Sequence, residues 1–213
     1  MEHTINMRVF KDEIIVIKSI NYGEADKILT VFGKNFGKFS IIAKGIRKIA
    51  SKNRGNIQTL SITEISFYRA KGMGILLETK NIFSPDYSSS NLKGIERVLL
   101  LLNRCIQEGA EACELYEKLC FVVRKGFKDS DVNKFRLVFL KNMGLLSYES
   151  CSKCGSCDCI EYVNLESFEI FCKNCYLDSN VVNDSALIKV CNIDYLSKNL
   201  TNYIDLYVEK SLF

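Results

Sequence analysis

Two cysteine pairs, Cys151-x-x-Cys154 and Cys172-x-x-Cys175, stand 17 residues apart in a chain of 213. That is the spacing of a four-cysteine zinc site. A CxxC turn places two thiolates on one side of a tight loop, and two such turns close a tetrahedron with Zn–S bonds of about 2.3 Å. Gly155 suits the left-handed turn that such a knuckle uses. Four thiolates leave no open position at which the metal could activate water, so the expected group is one structural Zn²⁺ per chain. Cys157 and Cys159 lie in the same stretch, "CSKCGSCDC". They leave open a swap with a member of the first pair. The run does not match the common iron–sulfur patterns. A redox protein cycling a CxxC disulfide is the less favoured alternative. Residues 151–175 carry Asp158, Glu161, Glu166 and Glu169 against Lys153 and Lys173. With four thiolates added, this is a poor place to hold phosphates.

A second constellation suits phosphates better. In "AKGIRKIASKNRGN" (43–56), Lys44, Arg47, Lys48, Lys52 and Arg54 bring five cations into eleven residues with no acid among them. Gly45, Ser51 and Gly55 would let the backbone approach a phosphate closely. A charge run is often just a solvated face, but the wider distribution points the same way. Residues 1–83 hold 14 Lys+Arg against 7 Asp+Glu, residues 84–150 hold 10 against 9, and residues 151–213 hold 5 against 9. A polyanionic partner is therefore expected at the N-terminal third. Tyr22, Phe36 and Tyr68 are candidate stacking aromatics, each equally suited to a core.

Catalytic chemistry finds little support. His3 is the only histidine, which removes His-based triads and His-ligated catalytic metals. No phosphate-binding glycine loop opens a helix: "GMG" at 72–74 falls in a turn between strands. The expectation is a protein that is not an enzyme.

These residues must be positioned by the elements around them. Up to about residue 82 the chain reads as five strands: 13–20, 27–33, 38–45, the alternating run 58–70, and 75–83. Glycine turns between them suggest a small closed barrel, for which an OB-fold is a frequent form. "SPDYSSSN" (84–91) holds the only proline and breaks the pattern. Apolar residues then recur at helical spacing: Leu92, Ile95, Leu99, Leu102 and Ile106; Leu115, Leu119 and Val122; Val132, Phe135, Phe139 and Leu146. Asp131 is the expected cap of the third helix and Gly144 marks its end. Cys105, Cys113, Cys120 and Cys191 read as small hydrophobes of buried stripes. Residues 160–172 alternate like a hairpin between the cysteine pairs. Residues 186–213 regain helical spacing, with Leu196, Leu200, Tyr203 and Tyr207 on one side. The expected architecture is α+β and multidomain. A five-stranded OB-type barrel (1–82) precedes a helical domain (83–150 and 176–213), into which a zinc ribbon (151–175) is inserted.

The first ten residues lack the apolar core of a signal peptide. The run Val98 to Leu102 is far too short to cross a bilayer. A cytoplasmic protein is expected, and in a reducing compartment clustered thiols favour metal over disulfides.

The stretch "SINYGEADKILTVFGKNFGKFSIIAKGIRK" (19–48), followed by Ser51, Lys52, Arg54 and Gly55, resembles the RecO family of bacterial recombination mediators. So does "FRLVFLKNMGLLSYESCSKCG" (135–155) leading into "FCKNC" (171–175). The resemblance implies a role in DNA repair through recombination (the RecF pathway), in the cytoplasm at the nucleoid. It implies binding of single- and double-stranded DNA and annealing of complementary strands. It also implies that, with RecR, the protein assists RecA in replacing single-strand-binding protein. Lys44, Arg47, Lys48, Lys52 and Arg54 would be the DNA-binding surface, and Cys151, Cys154, Cys172 and Cys175 the zinc ligands. The single-strand-binding protein's acidic, apolar C-terminal tail would suit a groove between helices, with Arg97, Arg104, Arg124 and Arg136 as candidate contacts. The chain departs from the family where "SYES" replaces a frequent proline before the first CxxC, and in its extra Cys157 and Cys159. An RNA-binding barrel with a ribbon is the alternative, since an OB-type surface accepts either nucleic acid.

Overall fold

Alternation of apolar and polar side chains over residues 9–83 builds a closed five-stranded barrel: β1 (Val9–Tyr22), β2 (Asp26–Gly33), β3 (Gly37–Ala43), β4 (Ile62–Tyr68) and β5 (Gly74–Phe83). The computed structural model describes residues 8–69, 73–109, 113–146, 149–158, 160–164, 166–178, 187–189 and 197–212. Strand order around the barrel is β1-β2-β3-β5-β4. Only β3 and β5 run parallel; every other pair is antiparallel. The long β1 makes closure possible, pairing with β4 through its first half and with β2 through its second. This is the OB-type barrel expected from the strand pattern.

One face of each strand fills the interior, with Ile14, Leu29, Val31, Ile41, Ile65, Phe67 and Leu76 in a single cluster. Such alternation fixes register, because a one-residue slip would turn this set outward. A bulge between Val16 and Lys18 shifts the phase of β1. The stretch Ile14–Ile17 is buried on both sides.

Two helices follow within the same compact unit, which extends to Phe127. They are α1 (Leu92–Arg104) and α2 (Cys113–Arg124). Helix α1 packs on β1. On α2, Tyr116 donates to Glu13 Oε1 at 3.1 Å, and its ring lies 6.0 Å from that of Phe32. The Lys38 ammonium reaches out of β3 and donates to the carbonyls of Leu102, Asn103 and Ile106 at 2.7–3.0 Å. A cation is favourable at these otherwise unpaired carbonyls of a helix end.

The second unit begins at Lys128. It comprises α3 (Asp129–Asn142), β6 (Ile160–Asn164), β7 (Ile170–Cys172), α4 (Lys173–Asp178), β8 (Leu187–Lys189) and α5 (Ser197–Leu212). The strands form one sheet in the order β7-β6-β8. Helices α3 and α5 pack together, with Asn133 donating to Thr201 Oγ1 at 2.8 Å and Arg136 paired to Asp205 at 2.6 Å.

Several details differ from the sequence expectations. The buried seam of α1 is Gly94, Val98, Leu101 and Leu102, while Leu92 is 67% exposed. The run Val98–Leu102 is apolar on every side of the helix, so periodicity does not fix its buried face. Asp131 does not cap α3: the cap position is Lys128, and Asp129 and Asp131 occupy the first turn, where acids favour the helix dipole. On α5 the buried stripe is Leu200, Ile204 and Val208, rotated from the expected face, and Leu196 lies outside the described residues. Residues 187–189 form a strand instead of starting a helix. Cys113 is exposed, and Cys105 and Cys120 are half-buried; burial pushes both of these thiols up in pKa. Cys191 lies outside the described residues.

Candidate functional site

The cationic segment leaves the end of β3 and returns to the barrel as a chain of tight turns. Backbone N–H groups of Lys48, Ser51, Arg54 and Asn56 bond the carbonyls of Gly45, Lys48, Ser51 and Asn53, each three residues back. Gly45 opens the series at φ +63°, a conformation that costs a side-chain-bearing residue free energy. The segment is tied down on two sides. Toward the β1–β2 turn, Gly45 N–H donates to Asp26 Oδ1 at 2.7 Å, Arg47 N–H to Ala25 O at 2.9 Å, and Arg47 Nη1 to Gly23 O at 3.2 Å. Toward β5, the Asn53 and Asn56 amides donate to the carbonyls of Leu77 and Thr79, both at 3.1 Å. Ile46 and Ile57 anchor the segment in the barrel core.

Lys44, Arg47, Lys48, Lys52 and Arg54 are all exposed on this braced segment. None of the five is in an ion pair among the described residues. At its crest Ile49 is 96% exposed. Of the aromatics considered for stacking, Tyr22 is 54% exposed, Tyr68 is half-buried, and Phe36 packs against Phe10, Phe39 and Phe67 of the interior. The anchoring roles of Asn53, Asn56 and Asp26 carry no sequence signal, because they depend on which strands the segment crosses.

The second candidate site gathers Cys151, Cys154, Cys172 and Cys175, whose sulfurs all lie within 4.8 Å of one another. The Cys154 and Cys172 sulfurs are 3.8 Å apart. Tetrahedral Zn–S bonds of about 2.3 Å give S···S edges of about 3.8 Å, so the donor set fits Zn²⁺ in number, type and size. Gly155 at φ +71° closes the first knuckle, donating to Cys151 O at 2.8 Å. Ser152 N–H bonds Ile170 O and ties that knuckle to β7, which ends in Cys172. Cys175 lies in the first turn of α4, its N–H 3.5 Å from Cys172 Sγ. Burial opposes ionisation of Cys151, but backbone N–H groups outweigh it and hold this thiol down at about 6. The neighbouring Cys154 thiol leads the groups that push Cys175 up to about 12. Cys157 is exposed and stands outside the four-sulfur group; Cys159 lies outside the described residues.

Residues 7–84, the whole barrel, match the family model described as "Recombination protein O N terminal". A "DNA repair protein RecO" of Syntrophomonas wolfei is 28% identical over 176 residues, covering 78% of this chain and 69% of that protein. That of Mycoplasma mycoides is 27% identical, covering 88% and 80%. That of Acetivibrio thermocellus is 31% identical, covering 70% and 63%. Over its barrel the chain matches the RecO N-terminal domain, and over most of its length it is similar to these RecO proteins.

The arginines considered above for an acidic peptide are not equivalent. Arg136 is buried in its pair with Asp205, so it is closed to a partner. The Arg124 guanidinium lies over the Phe83 ring at 5.4 Å. No described helix is long and apolar enough to cross a membrane.

Proposed function

We propose that this chain is a DNA-binding recombination mediator of the RecF pathway of DNA repair. Its barrel domain (1–82) binds single- and double-stranded DNA through Lys44, Arg47, Lys48, Lys52 and Arg54. It anneals complementary strands and, with RecR, assists RecA loading on DNA coated by single-strand-binding protein, whose C-terminal tail docks on the helical domain. The observation that carries this reading is the set of five exposed cations, none in an ion pair among the described residues, on a braced segment of an OB-type barrel.

Two DNA strands repel through their phosphates. Cations on one rigid surface lower that repulsion and release condensed counterions, so binding weakens as salt rises. Base pairing supplies the free energy of annealing, and no bond in the DNA is made or broken. The protein is accordingly non-catalytic, working in the cytoplasm at the nucleoid. The four cysteines hold one structural Zn²⁺ that stabilises the ribbon.

The test is a strand-annealing assay with fluorescent complementary oligonucleotides and no nucleotide cofactor. Annealing several-fold faster than the spontaneous rate is expected. An unchanged rate at protein excess would count against the mediator reading.

A further inference from the structure

Cys157 stands outside the four-sulfur group of Cys151, Cys154, Cys172 and Cys175. It is also absent from the small core around that group, which Ile160 and Phe171 complete among the described residues. Its thiol is exposed, and an exposed thiol is open to oxidants. Neither the metal site nor the packing of the ribbon accounts for it.

Two features of the first knuckle tie Cys157 to one ligand in particular. Cys154-Gly155-Ser156-Cys157 is a further CxxC that overlaps the first, at the spacing from which redox disulfides close. The backbone folds this stretch back on itself. Gly155 turns at φ +71° and donates to Cys151 O at 2.8 Å, and Cys151 N–H donates to Ser156 O at 2.8 Å. Cys157 therefore follows directly on a carbonyl held against Cys151, instead of leading away from the site. The ligands are also unequally shielded. Cys154 is exposed, whereas Cys151 is 2% and Cys172 6% exposed. Cys172 Sγ lies 3.5 Å from the Cys175 N–H inside the ribbon core. An oxidant arriving from solvent thus meets Cys154 first, with the exposed Cys157 thiol three residues on.

We propose that Cys154 and Cys157 form a peroxide-sensitive pair, with Cys154 the attacking thiolate and Cys157 the resolving thiol. The proposal rests on the reading of the four cysteines as a zinc site. The Cys154 thiolate attacks one oxygen of hydrogen peroxide. An S–O bond forms, the O–O bond breaks, and hydroxide leaves and takes a proton from solvent, so that Cys154 becomes a sulfenic acid. The Cys157 thiol then attacks that sulfur. The S–S bond forms, the S–O bond breaks, and the hydroxyl departs as water with the Cys157 proton. The two sulfurs together give two electrons to the peroxide, which ends as two waters. Cys154 in a disulfide is no thiolate donor, so three remain and metal binding weakens. A thiol reductant reverses the change.

The experiment uses the full chain loaded with Zn²⁺, with and without Cys157→Ser, both forms carrying Cys159→Ser. Cleavage after Lys153 and Glu161 then yields a fragment, 154–161, that holds Cys154 and Cys157 alone and separates them from Cys151 and Cys172. Peroxide is added, released zinc is read with a colorimetric indicator, and the fragments are weighed before and after dithiothreitol. With Cys157 present, the expected result is release of about one Zn²⁺ per chain and an internal disulfide in 154–161. Nearly complete recovery of metal binding after reduction is expected as well. With Cys157→Ser the Cys154 sulfenic acid lacks its resolving thiol and goes on to sulfinic acid, which dithiothreitol does not reduce. Recovery is then expected to fall by about half or more. Linkage of Cys154 to Cys151 or Cys172, equal recovery in the two forms, or zinc that stays bound in peroxide would each overturn the pair while leaving the zinc reading standing. A chain that takes up no Zn²⁺ before peroxide is added overturns both.

Discussion

The four metal-site thiols differ in what surrounds each, and that decides which substitutions matter. Cys151 and Cys172 are buried, whereas Cys154 is exposed with its sulfur 3.8 Å from that of Cys172. Cys172 also packs with Ile160 and Phe171, so it joins the candidate metal site to the small core of the ribbon. Cys172→Ser is expected to abolish binding of about one Zn²⁺ per chain, because three thiolates and a hydroxyl no longer satisfy the site. Cys157→Ser is expected to leave that stoichiometry intact, since Cys157 stands outside the four-sulfur group. Metal release by a thiol-modifying reagent with a colorimetric indicator separates the two; loss of zinc from both variants would mean that the ligand set is wrong. The grouping of these four sulfurs was legible in the sequence because CxxC spacing is local. The half-exposed states of Cys105 and Cys120 were not, because they depend on how deeply α1 and α2 seat on the barrel.

At the scale of elements, Lys38 joins a strand to a helix. It is 8% exposed, and burial pushes its ammonium down in pKa, opposed by nearby Glu108. Three carbonyls at the end of α1 depend on it. Lys38→Met removes the donor and leaves those carbonyls without it, with an expected loss of about 2–4 kcal/mol in denaturant unfolding. A stability change below about 0.5 kcal/mol, the range of surface substitutions, would show that water replaces the ammonium without cost. Nothing in the sequence marks Lys38 apart from Lys34 in the same stretch, "GKNFGKFS", because its partners lie more than sixty residues away. The five strands themselves were legible from alternation and glycine turns. The parallel pairing of β3 with β5 was not, since it depends on how the barrel closes.

For the whole molecule, the two candidate sites divide the work. The ribbon is acidic and its sulfurs form a closed set, which suits holding the chain together. The barrel carries the excess of positive charge and keeps five cations exposed on a segment braced by Gly23, Asp26, Leu77 and Thr79. Both the charge asymmetry and the cation run could be read from the sequence. The bracing could not, and it distinguishes a preorganised segment from a solvated loop: cations carried on a backbone already held in place cost less ordering of the chain when phosphates arrive.

The central claim is that this segment is where DNA binds, and a salt-dependent titration of Lys44→Ala, Arg47→Ala and Lys48→Ala combined tests it most directly. All three side chains are exposed and, apart from the Arg47 bond to Gly23 O, the ties that brace the segment do not use them, so the fold should survive their removal. With a fluorescent single strand at moderate salt, the account expects an affinity loss on the order of 10- to 100-fold. It also expects a fall of roughly 2 in the slope of log K against log salt, as three phosphate contacts disappear. An affinity and a slope equal to wild type in a protein of unchanged melting temperature would contradict it.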